Sequence, residues 1–144
     1  MQMSSTDISS YPKLAHYVKN DIPKLITVPA IVVAMNSVAQ INKARLNTVL
    51  SWGNGPQIKI TALSGAYGEF SPGISSNEIR VDTGLVTDFE AGRGKRVVRA
   101  GNAYLIGITL LHELVHWGDD QDGIDRPGEE GAEFERLVYG AVIV

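Results

Sequence analysis

The run Tyr104-Leu105-Ile106-Gly107-Ile108-Thr109-Leu110-Leu111-His112-Glu113-Leu114-Val115-His116-Trp117 decides how this chain is read. It is long and apolar enough to be a buried helix, yet it carries His112, Glu113 and His116. On a helix, residues four apart lie one turn above each other on one face. The two imidazoles can therefore converge on one ion, at about 2.0–2.1 Å each for zinc. Glu113 sits one residue along, roughly 100° around the axis. There it can reach a water on the metal without ligating the ion itself. Zinc brings the pKa of bound water to about 7, so a neighbouring carboxylate can take its proton. Leu114 and Val115, at the two open positions of the H-E-x-x-H pattern, are apolar and argue against a solvated surface helix. Two satisfied core histidines with an incidental glutamate are the alternative, but three polar residues in an apolar helix need a reason.

Composition sets the bounds. The 144 residues suit one domain with a real core. An apolar share of 44% and a charged share of 20% are ordinary for a globular protein. A net charge of −3 carries no nucleic-acid footprint. Without cysteine there are neither disulfides nor thiolate ligands, so any metal falls to His, Asp and Glu. The longest apolar stretches, around 28–35 and 104–111, are too short to span a membrane. The opening residues show no signal peptide.

Outward from the motif, the pattern predicts an α+β domain over residues 11–144. Residues 1–10 are Ser-rich and read as a disordered N-terminal segment. Helices are expected over 11–20, from Pro29 onward, and over 42–52 up to the stop at Gly53-Asn54-Gly55-Pro56. Alternation predicts strands over 57–63 and 77–82, with a short strand over 67–70 between them. Asp82 or Thr83 then caps a short helix, and Gly92-Arg93-Gly94-Lys95-Arg96 reads as a basic loop. Asn102 is the expected N-cap of the motif helix, and Gly118 its expected stop. A last helix is predicted over 129–139.

A catalytic zinc takes three protein ligands and keeps one position open. No histidine follows His116, and His16 lies in the first predicted helix, where surface or packing is its ordinary role. Asp122 follows His116 by six residues, but Gly118 is one residue early for the turn that such a ligand needs. Asp119 and Asp120 suit the turn or the outer partners of an imidazole. The acidic run Gly128-Glu129-Glu130-Gly131-Ala132-Glu133-Phe134-Glu135 offers more. Glu129 and Glu135 read as solvated face residues. Glu130 is four before Phe134 and seven before Leu137, on the core-facing stripe, with Gly131 allowing close approach. Glu130 is therefore the expected third ligand, with Glu133 as the runner-up.

The motif helix followed by a Glu-bearing helix resembles the gluzincin zinc metallopeptidases. The longer string His112-Glu113-Leu114-Val115-His116-Trp117-Gly118-Asp119-Asp120, then Gly128 to Glu135, resembles the metallopeptidase toxin domains of bacterial polymorphic and secretion-system effectors. Gly55-Pro56-Gln57-Ile58-Lys59-Ile60 and Ile79-Arg80-Val81-Asp82 fit their strand region loosely. The sharp part covers about residues 110–135, and only 13 residues separate His116 from Glu130, fewer than in many gluzincins. The resemblance implies a zincin-like fold and Zn2+-dependent hydrolysis of a protein or peptide substrate, with Glu113 as the catalytic base. It also implies a secreted or translocated effector, cytoplasmic before export, and an immunity protein as partner. By the same analogy a substrate would lie along 79–82 as an edge strand, and Tyr139 or Tyr104 could donate to an oxyanion, although packing is the ordinary role of both. A non-peptidase zinc hydrolase, or a binding module that a metal merely staples, are the alternatives. Arg93, Lys95, Arg96 and Arg99 lack phosphate-loop spacing and read as a solvated loop.

Overall fold

The computed structural model describes residues 1–73, 75–121 and 129–144. Those residues form seven α-helices and two small sheets, the α+β arrangement expected. No single described helix is long and apolar enough to cross a membrane.

The helical half comes first. Two short helices, α1 (Ser5–Ser10) and α2 (Pro12–His16), lead through a π-turn at Tyr17–Asp21 and a 3-10 segment at Ile22–Thr27. Helix α3 (Pro29–Ala39) starts where Pro29, lacking an N–H, costs no hydrogen bond. It ends at Gln40 in the left-handed region, φ 54°. Asn42 then caps α4 (Lys43–Leu50), its side chain accepting from the Arg45 N–H at 2.9 Å.

The main sheet has three strands, β1 (Gln57–Thr61), β2 (Gly68–Glu69) and β3 (Glu78–Asp82), in the order β1-β3-β2. β1 and β3 run parallel with Ile58 opposite Ile79, and β2 is antiparallel to β3 at the edge. Strand β3 is thus central. The expectation that 79–82 forms the edge beside the site is corrected: two-residue β2 holds that place, because the chain doubles back through 67–70 before β3. Asp82 caps α5 (Thr83–Glu90) and accepts from the Gly84 N–H. The basic loop is the start of a hairpin, β4 (Lys95–Val98) paired with β5 (Gly101–Tyr104).

Helix α6 (Leu105–Gln121) carries the motif and is buried along most of its length. Two expectations about its ends are corrected. Asn102 is not its cap, because residues 101–104 pair with β4 and the helix begins directly after them. Gly118 does not stop it; the helix runs on for three residues. The glycine is instead a point of close approach. A Cβ at Gly118 would stand 2.6 Å from Ile41 Cδ1 and 3.2 Å from Ala39 Cβ, so the α3–α4 corner packs directly on the α6 backbone. The last helix is α7 (Glu130–Tyr139), closed by Gly140 at φ 84°.

Residues 1–10 also differ from expectation. Met1 and Met3 are buried in the core, and Gln2 bridges β1 through Gln2 N–H to Pro56 O (3.1 Å) and Ile58 N–H to Gln2 O (2.8 Å). Ser4 caps α1 by accepting from the Asp7 N–H. The Ser-rich composition concealed two methionines able to bury, and burial together with a strand edge orders the segment.

Overpacking a tight backbone contact costs about 1–3 kcal/mol. Gly118→Val should lower unfolding free energy by about that amount, read as a lower urea midpoint with an unchanged slope.

Candidate metal centre and cleft

The motif places its histidines as the helical period requires. His112 Nε2 and His116 Nε2 are 3.3 Å apart, with ring centroids 5.1 Å apart at 61°. His112 is buried and His116 half-buried. The far side of His112 is held by Glu135, whose Oε1 lies 2.5 Å from Nδ1. A carboxylate is an acceptor, so the proton of His112 resides on Nδ1 and the lone pair of Nε2 faces His116. On His116 the corresponding partner is Glu130, with Oε2 3.7 Å from Nδ1. Two imidazole nitrogens turned toward each other at this distance repel unless a proton or a cation lies between them.

The third group of the cluster is Glu129. Its Oε2 is 4.0 Å from both Nε2 atoms, and the three candidate ligand atoms lie within 4.8 Å of one another. The expected third ligand, Glu130, is buried as predicted, but its nearest histidine nitrogen is Nδ1 of His116 rather than the shared Nε2 face. Its other oxygen, Oε1, is buried with no hydrogen-bond partner among the described residues. The runner-up, Glu133, is exposed. Asp122 lies outside the described residues. His16 is exposed and contacts Asn20. The donor set fits a divalent cation: two nitrogen lone pairs that converge and a carboxylate oxygen beside them suit zinc.

Electrostatics separate the glutamates. Burial pushes the Glu113 carboxyl up to about 7; Glu129 and Glu69 add to this while His112 and Arg80 oppose it. Glu113 can therefore hold or release a proton near neutrality. Burial alone would push Glu135 up, but hydrogen bonds from His112 and from the Ile143 and Val144 N–H groups hold it below the usual carboxylate range. Burial alone would push His112 down; its bond to Glu135 and the charges of Glu113, Glu135 and Glu129 raise it. His116 is pushed down by burial and by His112.

A cleft of about 340 Å³ opens over these groups, with α6 as its floor. Its opposite wall is β2 and the residues after it, Gly68, Glu69, Phe70 and Pro72, while Glu129 borders it from the start of α7. A Cβ on Gly68 would stand 2.6 Å from Thr109 Cγ2 and 2.9 Å from Glu113 Cγ. The edge strand thus rests on the helix at the glutamate of the motif. Arg80 binds Glu69 Oε1 at 2.5 Å and also Ser71 Oγ, pinning this wall.

A family model described as metallopeptidase toxin 3 matches residues 7–140. The chain belongs to this family. Among curated proteins and among solved structures, nothing matches it. Membership in the metallopeptidase toxin 3 family supports a hydrolase of the peptidase class, a metal, a protein substrate and an effector role.

Other expected residues sit elsewhere. Tyr104 belongs to an aromatic cluster with Tyr17 and Phe89, at 5.8 and 5.0 Å, and Tyr139 packs on Phe134. Neither lines the cleft. Arg93 pairs with Asp88 at 2.8 Å, and Arg99 donates to the Arg136 carbonyl. The pattern places Glu135 and Glu129 on the solvated face, yet Glu135 is buried and Glu129 stands beside both histidines. For Glu135 a signal existed: it stands one turn after Gly131, the residue against which the His112 ring lies. For Glu129, the residue directly before α7, there is none.

A methyl group at position 131 would overlap the His112 ring at Nε2. Gly131→Ala should retain the helical signal in circular dichroism and lose at least about tenfold in metal affinity, as disturbed ligand orientation does. Metal affinity is read by competition with a chromophoric chelator.

Proposed function

We propose that this chain is a zinc-dependent peptidase that acts as a bacterial toxin. His112 and His116 hold the metal through Nε2, and the start of α7 supplies the third ligand, Glu129 ahead of Glu130. One observation carries the reading: two imidazole Nε2 atoms face each other at 3.3 Å beside a carboxylate, on the floor of a cleft that also contains Glu113. The family's description names a metallopeptidase, which the motif on α6 and the glutamates at the start of α7 suit.

When bound, zinc acidifies water and polarises a carbonyl oxygen. The chain supplies the rest. Glu113 takes the proton of the attacking water and delivers it to the leaving amine, a task suited to a carboxyl held near 7. Its position under Gly68 keeps it beside the edge strand, so an extended peptide laid along β2 would pass directly over the base. Glu135 fixes the tautomer of His112, and Glu130 stands behind His116. A merely structural metal would give no use to a buried carboxylate facing an open cleft, which sets the binding-module reading below the enzyme. The toxin role carries with it export from the producing cell and a protecting immunity protein.

Glu113→Gln should bind zinc like the wild type and cleave an unfolded protein substrate about 10²–10⁴ times more slowly. Full activity in that variant would remove Glu113 from the mechanism. Expression inside a sensitive bacterium should arrest growth for the wild type and not for Glu113→Gln. Elemental analysis assigns the third ligand: Glu129→Ala should lose bound zinc, whereas Glu130→Ala should retain it more weakly. The reverse order would make Glu130 the ligand.

A further inference from the structure

The segment after α7 reaches back to the metal centre. Gly140 turns the chain in the left-handed region, and Arg99 holds this corner by donating from its guanidinium to the Arg136 carbonyl and from its backbone N–H to the Tyr139 carbonyl. Residues 143 and 144 then pack on the core, and both of their backbone N–H groups point at one atom. Glu135 Oε2 accepts from Ile143 N–H in a short bond and from Val144 N–H at 3.0 Å. The other oxygen of the same carboxylate, Oε1, accepts from His112 Nδ1. Glu135 is fully buried.

The chemistry of this chain of contacts is directional. A buried carboxylate with a single partner can rotate about its last bond or take up a proton, and either change spoils it as an acceptor. Two backbone donors on one oxygen fix its plane and stabilise its ionised form. The remaining oxygen is then a strong, fixed acceptor for the imidazole. An imidazole held by Nδ1–H in one orientation presents the lone pair of Nε2 in one direction only.

We propose that the backbone amides of Ile143 and Val144 are positioning groups of the metal centre, clamping Glu135 so that it holds His112 ready for the ion. This rests on the zinc reading of the site above. The coupling has to be mutual: if the clamp favours zinc, zinc must tighten the clamp by the same factor.

Amide hydrogen exchange on the wild-type chain, with and without zinc, reads the coupling directly. Exchange at Ile143 and Val144 should slow about tenfold on zinc binding, beyond any slowing at exposed amides of α4 far from the site. Nitrogen chemical shifts should place the proton of His112 on Nδ1 in the metal-free protein. Ile143→Pro removes one donor, and Val144→Pro the other; each should weaken zinc about tenfold, the effect expected for loss of an outer partner. Ile143→Ala keeps the N–H and loses the side chain, and should bind zinc within about threefold of the wild type. A tenfold loss in the alanine variant as well would make the role one of packing and overturn the proposal. A wild type that binds zinc with exchange at 143 and 144 unchanged also overturns it while leaving the metal centre intact. A wild type that takes up no zinc overturns the reading of the site itself, and this proposal with it. The exchange measurement needs no variant, so a proline variant that fails to fold does not remove the test.

Discussion

The hydrogen bond between His112 and Glu135, buried between α6 and α7, is the constraint on which the rest of the site depends. Neither group belongs in an apolar interior alone, and removing one partner would leave a buried polar atom of the other without its hydrogen bond, at a cost of about 1–3 kcal/mol. To bring them together, α7 must approach α6 closely. That approach is why position 131 has no side chain, since the His112 ring occupies the space where a Cβ would stand. The same approach carries Glu129 and Glu130 to the two sides of His116. From the opposite direction Gly68 permits the edge strand to rest on Glu113. Two glycines on unrelated elements thus set how closely the walls stand to the motif helix.

How much of this could be read beforehand follows the range of the interactions. The pairing of His112 with His116 was legible because it is a property of one helix, fixed by the 3.6-residue period. So were the Pro29 start of α3, the Asp82 cap of α5, and the alternation of β1 and β3, all of which are local. The central position of β3 was not, because strand order depends on which segments return and pair. Nor was the order in residues 1–10, which comes from Met1 and Met3 entering a core built mostly by later residues.

The acidic helix shows where a correct rule met a misleading anchor. Its stripe was drawn through Glu130, Phe134 and Leu137, and the first two are buried. Leu137, however, is 50% exposed, while Glu135 is fully buried. The buried face is rotated toward 131 and 135, because the helix packs on polar imidazole as well as on aliphatic core. Hydrophobic periodicity marks the face that meets hydrocarbon, and a helix that meets a histidine site buries charge on the flank of that face.

Four glutamates lie within seven residues at the start of α7, and their environments give them different chemistry. Glu133 faces solvent. Glu135 accepts from three donors, which favour its ionised form. Glu130 is buried behind His116, and Glu129, with its side chain 74% exposed, stands on the open side of both Nε2 atoms. An exposed carboxylate at that place loses little by turning toward a cation, whereas a buried one would have to abandon its packing. With Glu113 included, four glutamate carboxylates stand around two imidazoles that both turn a nitrogen to the same point. A divalent cation there would relieve the mutual repulsion of the carboxylates and of the facing lone pairs together. Glu113 differs from Glu130 and Glu135 in resting against the edge strand rather than behind a histidine, and from Glu129 in being buried.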